Sequence, residues 1–142
     1  MITKLFLAGC LMGFCVTIHA SGVTWALGRI KRHPEYPRFW AGTWLFILVA
    51  AWIVMMHLVE IVVWAVFYFA DGAMPALQTA VYFSAVTYTT TGYGDLVLPP
   101  EWRLVGAIEA LTGILMCGWS TAFFLTVGSR LYEPRQGTAA QR

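Results

Sequence analysis

Three long stretches of this 142-residue chain are almost free of charge. Residues 5–28 carry no Asp, Glu, Lys or Arg, residues 39–70 carry only Glu60, and residues 104–129 carry only Glu109. The hydrocarbon core of a bilayer is roughly 30 Å thick, and a helix needs about 20 apolar residues to cross it. Each stretch is long enough, so the sequence predicts three membrane-spanning helices. Charged residues make up 11% of the chain, against roughly 25% in an average soluble domain. That balance argues against a disordered chain, a disulfide scaffold or a soluble enzyme. The formal net charge of +2 gives no ground for a nucleic-acid partner.

Lys and Arg set the expected orientation. Arg29, Lys31, Arg32 and Arg38 follow the first span, and Arg130, Arg135 and Arg142 follow the last, so seven of the nine basic residues lie in two segments. With three spans and one segment that enters and returns, both fall on the same side, which is expected to be cytoplasmic. The N-terminus is then outside and the C-terminus inside. Trp40 and Trp44 at one end of the second span, and Trp64 and Tyr68 near the other, suit interfacial aromatic belts. Two processing signals compete with a retained first helix: a signal peptide ending at Ile18-His19-Ala20, and a lipoprotein-like box at Leu7-Ala8-Gly9-Cys10. The apolar run before Cys10 is too short for the box. The stretch also continues past Ala20 to a basic cluster, so residues 1–30 are read as a retained helix. Gly9 and Gly13 are spaced for close approach of another helix, or are simply small residues in an apolar one. Cys10, Cys15 and Cys117 all fall within spans and read as inert buried thiols.

The segment between the second and third spans is different in kind. Asp71-Gly72 signals a turn, and Pro75 suits the first position of a helix over residues 75–88. Fourteen residues at about 1.5 Å each cannot cross a bilayer. Thr89-Thr90-Thr91-Gly92-Tyr93-Gly94-Asp95 follows, with three β-branched residues before two glycines, a poor helix former. Non-helical backbone at membrane depth is tolerated only inside protein or beside a watery path. Two glycines around one tyrosine permit left-handed backbone, so successive carbonyls can turn to one side and replace the water of a monovalent cation.

Thr90-Thr91-Gly92-Tyr93-Gly94-Asp95 resembles the selectivity filter of tetrameric potassium channels, usually Thr-Val-Gly-Tyr-Gly. The resemblance covers about residues 39–132, and Trp102-Arg103-Leu104-Val105 and Gly113-Ile114 are similar to the inner helix of small two-helix bacterial channels. It implies an all-α membrane protein: an extra N-terminal helix (1–30), a basic loop (31–38), a pore domain (39–132) and a short tail (133–142). Within the pore domain it implies an outer helix 39–70, a pore helix 75–88, a filter 90–95 and an inner helix 102–129. The carbonyls of Thr90, Thr91, Gly92 and Tyr93, with the Thr90 hydroxyl, are the implied potassium ligands, and Gly92 and Gly94 give backbone freedom. The Tyr93 ring is expected against Tyr82 and Phe83, and Asp95 at the outer mouth. The pore helix's C-terminal end would aim partial negative charge at a cavity below the filter. One filter loop per chain implies a homotetramer.

Two positions depart from the family pattern. Thr91 replaces the commoner Val and puts a hydroxyl behind the filter. Val86 stands where some bacterial channels have Glu, so an acid pair with Asp95 is missing.

Gly113 sits where the family often has a hinge, with close packing on the pore helix as the other reading. Ile114, Cys117, Gly118 and Thr121 are expected to line the cavity, Thr121 offering its hydroxyl to hydrated potassium or to its own helix. His57, Glu60 and Glu109 fall at similar depth, and intramembrane ionisable groups are functional candidates by default. They are expected to form one network behind the filter, either adjusting gating by protonation or acting as a static strut. His19 and His33 read as isolated, with no metal-ligand cluster, catalytic triad or phosphate loop. No enzymatic activity and no cofactor is therefore expected, potassium being the permeant ion. Arg29, Lys31, Arg32 and Arg38 suit either topogenic charge or anionic lipid headgroups. No span carries the regularly spaced arginines of a voltage sensor. The resulting expectation is a passive potassium channel, by analogy in a bacterial inner membrane. The alternatives are a non-selective monovalent cation channel or a non-conducting accessory subunit.

Overall fold

The charge-free stretches become helices because unbroken apolar sequence in lipid must satisfy every backbone N–H and C=O internally. The structure, a computed structural model, describes residues 2–31 and 39–132. Helices α1 (Ile2–Lys31), α2 (Phe39–Ala70) and α4 (Arg103–Tyr132) have 30, 32 and 30 residues. At 1.5 Å per residue each reaches about 45 Å, enough for the core and both headgroup layers. All three are long and apolar enough to cross a membrane. Between α2 and α4 lie α3 (Leu77–Tyr88) and a single 3₁₀ turn (Pro100–Trp102), and the described residues contain no strand.

Helix α3 has 12 residues, about 18 Å, so it enters the bundle and stops. It starts two residues later than the proline at position 75 suggested. The Tyr68 carbonyl accepts from the N–H groups of both Ala73 (2.9 Å) and Met74 (3.2 Å), closing α2 with Gly72 at φ +70°. That closure occupies residues 73–74 and buries Met74. Ala76, in extended backbone at φ −144°, becomes the N-cap, and Pro75 lies before the helix rather than in it.

Lipid tails are as apolar as leucine, so close packing and polar contacts, not burial from water, hold such helices together. Two packed clusters do this. One lies at the end where α3 enters and joins Trp64, Tyr68, Phe83, Leu98, Trp102, Val105 and Met116 to Ala8 and Cys15 of α1. The other, toward the opposite end, joins Val23 and Ala26 of α1 to Val49, Met56, Phe123 and Val127. Helix α1 runs parallel to α4: Lys4 Nζ sits 3.9 Å from the ring centre of Trp102, and His19 meets Ser120. It also touches α2, where the Trp52 indole donates to the Gly22 carbonyl at 3.2 Å. The expected small-residue pair, Gly9 and Gly13, has open space around it within the chain. Gly22 is the glycine of α1 that another helix approaches, since a Cβ there would lie 2.2 Å from Met56 Sδ. Phe46 near the start of α2 packs on Phe124 and beside Gly128 of α4. The ends of α1 and α4 and the start of α2 thus lie together.

Candidate functional site

The segment that carries the expected filter, residues 89–95, begins at the last turn of α3, where orphan helix carbonyls need partners. Thr90 N–H donates to Thr87 O at 2.9 Å, while Thr91 and Gly92 N–H both donate to Val86 O at 3.0 and 3.2 Å. In a trans peptide the C=O points opposite the following N–H. The carbonyls of Thr89, Thr90 and Thr91 are therefore turned away from α3, all to one side. Positive φ recurs at every second residue: Thr90 (+58°), Gly92 (+57°) and Gly94 (+77°), with none at Thr91 or Tyr93. Alternating right- and left-handed backbone keeps successive peptide dipoles on the same side instead of reversing them. Such φ costs glycine nothing but strains β-branched Thr90. A residue held in strained backbone clusters at functional sites.

Hydroxyls brace this geometry from behind. Thr89 Oγ1 donates to Ala85 O at 2.7 Å and lies 2.9 Å from Thr91 Oγ1, so the departure from Val at position 91 supplies a bond behind the loop. Asp95 has a partner despite Val86: Tyr82 Oη donates to its Oδ2 at 2.7 Å. That bond raises the Tyr82 phenol above its ordinary value, keeping it a neutral donor. The expected packing of Tyr93 on Tyr82 and Phe83 is not formed within one chain, where Tyr93 is 72% exposed. Tyr82 is committed to Asp95, and a groove lined by Phe83, Val86, Thr87, Leu98 and Arg103 stays open beside the loop.

Behind α3, the expected single network divides in two. Glu109 is fully buried and accepts from Tyr68 Oη (2.8 Å) and from Ser84 Oγ. Ser84 also lies 2.9 Å from Ile61 O. Glu109 therefore ties α4 to α2 and α3. His57 and Glu60 belong to a second group one turn further along α3. Their closest approach is 3.6 Å, and Tyr88 Oη donates to Glu60 and lies 3.1 Å from His57 Nδ1. The separation follows from α3 itself: Ser84 and Tyr88, one turn apart, each engage a different carboxylate.

His19, expected to be isolated, has partners in α2 and α4. It is fully buried, with Nδ1 3.0 Å from Glu60 Oε1 and Nε2 3.0 Å from Ser120 Oγ. Ser120 Oγ is also 3.1 Å from His57 Nε2. Residues of all four helices thus converge at the start of segment 89–95. The available signal was His19 itself, a titratable group within a charge-free span. Its partners, 41 and 101 residues away, had no pattern to announce them.

Gly113 is packed, not free: a Cβ there would stand 1.9 Å from Tyr88 O. Close contact with the end of α3, the second of the two expected readings, is what the backbone imposes. Ile114, Cys117, Gly118 and Thr121 form an exposed stripe on α4, and the Thr121 hydroxyl donates to Cys117 O at 2.9 Å. The thiols at Cys10 and Cys117 are exposed and free, and Cys15 is buried. Arg29 lies 5.1 Å from the ring centre of Trp25. The side chains of Lys31, Arg32, Arg38 and Arg130, and residues 133–142, lie outside the described set.

No curated protein and no solved structure matches the chain. A family model described as "Ion channel" does, over residues 42–130. That interval takes in most of α2, all of α3 and segment 89–95, and α4 almost to its end. The match covers more than half of the chain, and with three helices long and apolar enough to cross a membrane, the chain is an integral membrane protein belonging to the ion channel family.

Proposed function

We propose that the chain forms a potassium-selective pore in which residues 90–94 strip and coordinate the ion. The observation that carries this reading is the period-two positive φ at Thr90, Gly92 and Gly94. It falls on Thr-Thr-Gly-Tyr-Gly, and the three carbonyls preceding Gly92 face one side. Carbonyls from Thr90, Thr91, Gly92 and Tyr93 replace the hydration shell of potassium. Asp95, fixed by Tyr82, supplies negative charge at the entrance. One loop cannot surround an ion, so four copies of residues 39–132 close the ring, and the exposed Tyr93 ring finds its packing against a neighbouring chain. Ile114, Cys117, Gly118 and Thr121 then face the cavity, with Thr121 engaged in its own helix. The loop 31–38 and tail 133–142 are on the cytoplasmic side and the N-terminus outside. The basic residues from Arg29 to Arg38 meet anionic headgroups there.

Potassium flux from proteoliposomes tests this reading. Wild type should pass potassium and rubidium and exclude sodium, and Gly94→Ala should abolish flux while the assembly persists. Equal flux of sodium and potassium would instead establish a non-selective monovalent cation channel. A chain that remains monomeric in mild detergent would favour an accessory subunit.

A further inference from the structure

The cluster at the base of the filter segment has the donor set and spacing of a metal centre. His19, His57 and Glu60 each present one ligand atom, all within 4.8 Å of one another. Tyr88 adds a fourth donor, its hydroxyl lying against Glu60 and 3.1 Å from His57 Nδ1. The other approaches are 3.0 Å from His19 Nδ1 to Glu60 and 3.6 Å from His57 Nδ1 to Glu60. Donors bound at about 2.0–2.2 Å to a tetrahedral zinc-type ion stand about 3.3–3.6 Å apart. The histidine separations, 3.0 and 3.6 Å to the two different oxygens of Glu60 and 3.1 Å to Tyr88, lie within a few tenths of an ångström of that edge, while the closer Tyr88–Glu60 contact would have to open to admit an ion.

Ser120 gives an independent reason. Its Oγ lies 3.0 Å from His19 Nε2 and 3.1 Å from His57 Nε2. A hydroxyl oxygen has two lone pairs and can accept from both rings at once, the arrangement that a bound ion would select. With both Nε2 atoms protonated toward Ser120, both Nδ1 atoms present lone pairs toward Glu60. Lone pairs facing a carboxylate repel unless a cation lies between them. Metal-bound histidines are oriented in this manner, by a hydrogen bond at the nitrogen remote from the ion.

Charge balance agrees. Without metal, the bonds are all made if His57 is protonated on both nitrogens against ionised Glu60. His19 then donates from Nδ1 and accepts from Ser120, and Tyr88 donates to Glu60. That arrangement is neutral. A divalent ion that displaces two protons, one of them from Tyr88, leaves two neutral histidines, a carboxylate and a phenolate around it, and is neutral again. Neutrality matters because a net charge in this low-dielectric setting is expensive. Two nitrogen and two oxygen donors suit zinc-type ions better than calcium or magnesium, which prefer oxygen alone.

We propose that His19, His57, Glu60 and Tyr88 bind one divalent transition-metal ion of zinc type, with Ser120 orienting both imidazoles. The ion ties α1, outside the matched interval 42–130, to Tyr88, two residues before Thr90. His57, with a side chain 16% exposed, is the member through which the ion enters.

Cobalt(II) is the probe, added to the chelator-treated full chain in detergent. Four-coordinate cobalt gives intense visible d–d bands, and wild type should develop them at one ion per chain and lose them when zinc is added. His19→Ala and His57→Ala should abolish the bands, Ser120→Ala should weaken binding about 10–100-fold, and His33→Ala should leave it unchanged. Far-UV circular dichroism of each metal-free variant separates lost ligation from lost fold. Wild type without four-coordinate bands would overturn the proposal whatever the variants do. So would bands that survive in folded His19→Ala and His57→Ala. The spectrum is read without ion flux, so its outcome is independent of the proposed potassium selectivity.

Discussion

The two sides of Tyr88 are built on opposite principles. On its C-terminal side, residues 89–95 form a site from consecutive backbone groups, held by alternate positive φ and by N–H bonds to the end of α3. On its N-terminal side, Ser84 and Tyr88 reach side chains of α2 and α4, and His19 of α1 joins them through Glu60. The first region is exposed within one chain and the second is buried except at His57. Main-chain carbonyls give uniform, repeated contacts for a small cation that must leave again. Buried side chains give a few unlike contacts that hold the helices in one register. The proposed function thus puts conduction on the region that substitutions of side chains disturb least, and rigidity on the region they disturb most.

Substitutions should break the two regions differently. The largest effect is expected where they meet, at Gly113. A Cβ there falls 1.9 Å from Tyr88 O, and backbone cannot yield as a side-chain tip can. Gly113→Ala should cost about 3 kcal/mol or more, the upper range of overpacking, and reduce assembled protein on size exclusion. A hinge at this position would instead leave assembly intact and alter gating alone.

Glu109→Ala comes next. It strands the buried hydroxyl of Tyr68, while Ser84 keeps its bond to the Ile61 carbonyl, and at about 1–3 kcal/mol for an unsatisfied group the melting temperature should fall clearly. Glu109→Gln, which still accepts, should recover most of the loss. His19→Ala should cost about 1–3 kcal/mol, and amide exchange should rise in α1 more than in α3. Equal exchange along all helices would show that His19 does not latch α1.

Changes in the filter segment should leave folding nearly unmoved. Gly94→Ala places a Cβ at φ +77° with nothing within 4 Å, so the strain is about 1–2 kcal/mol while flux disappears. A folded variant with wild-type flux would remove the left-handed requirement. Tyr82→Phe is the smallest change: it deletes the bond to Asp95 at an exposed site. It should lower single-channel conductance modestly without affecting assembly. Tyr82 is raised by that bond, so the contact should persist across neutral pH and be lost only as pH rises through the phenol's range.

The same contrast explains what was legible in the sequence. Three spans, a short entering helix and the loop 90–95 were readable because each is contiguous and its rule is local: charge-free length, insufficient length, glycine spacing. Tyr82 as the partner of Asp95 was not, because a phenol thirteen residues away carries no mark of its direction. His57, Glu60 and Glu109 were readable as costly groups at similar depth. Which of them meet depends on the rotation of α3, where Ser84 and Tyr88 divide the carboxylates between them. His19 required knowing that α1 lies against α4, a fact that no local pattern encodes. Pro75 shows a local rule overridden, since two N–H groups captured by the Tyr68 carbonyl moved the helix start to Leu77.

The reversal potential of the purified channel in planar bilayers, under opposed potassium and sodium gradients, tests the central claim most directly. Carbonyl ligation at Thr90 to Tyr93 requires a value close to the potassium equilibrium potential. Current that reverses near zero would contradict it and show that the loop passes both ions alike.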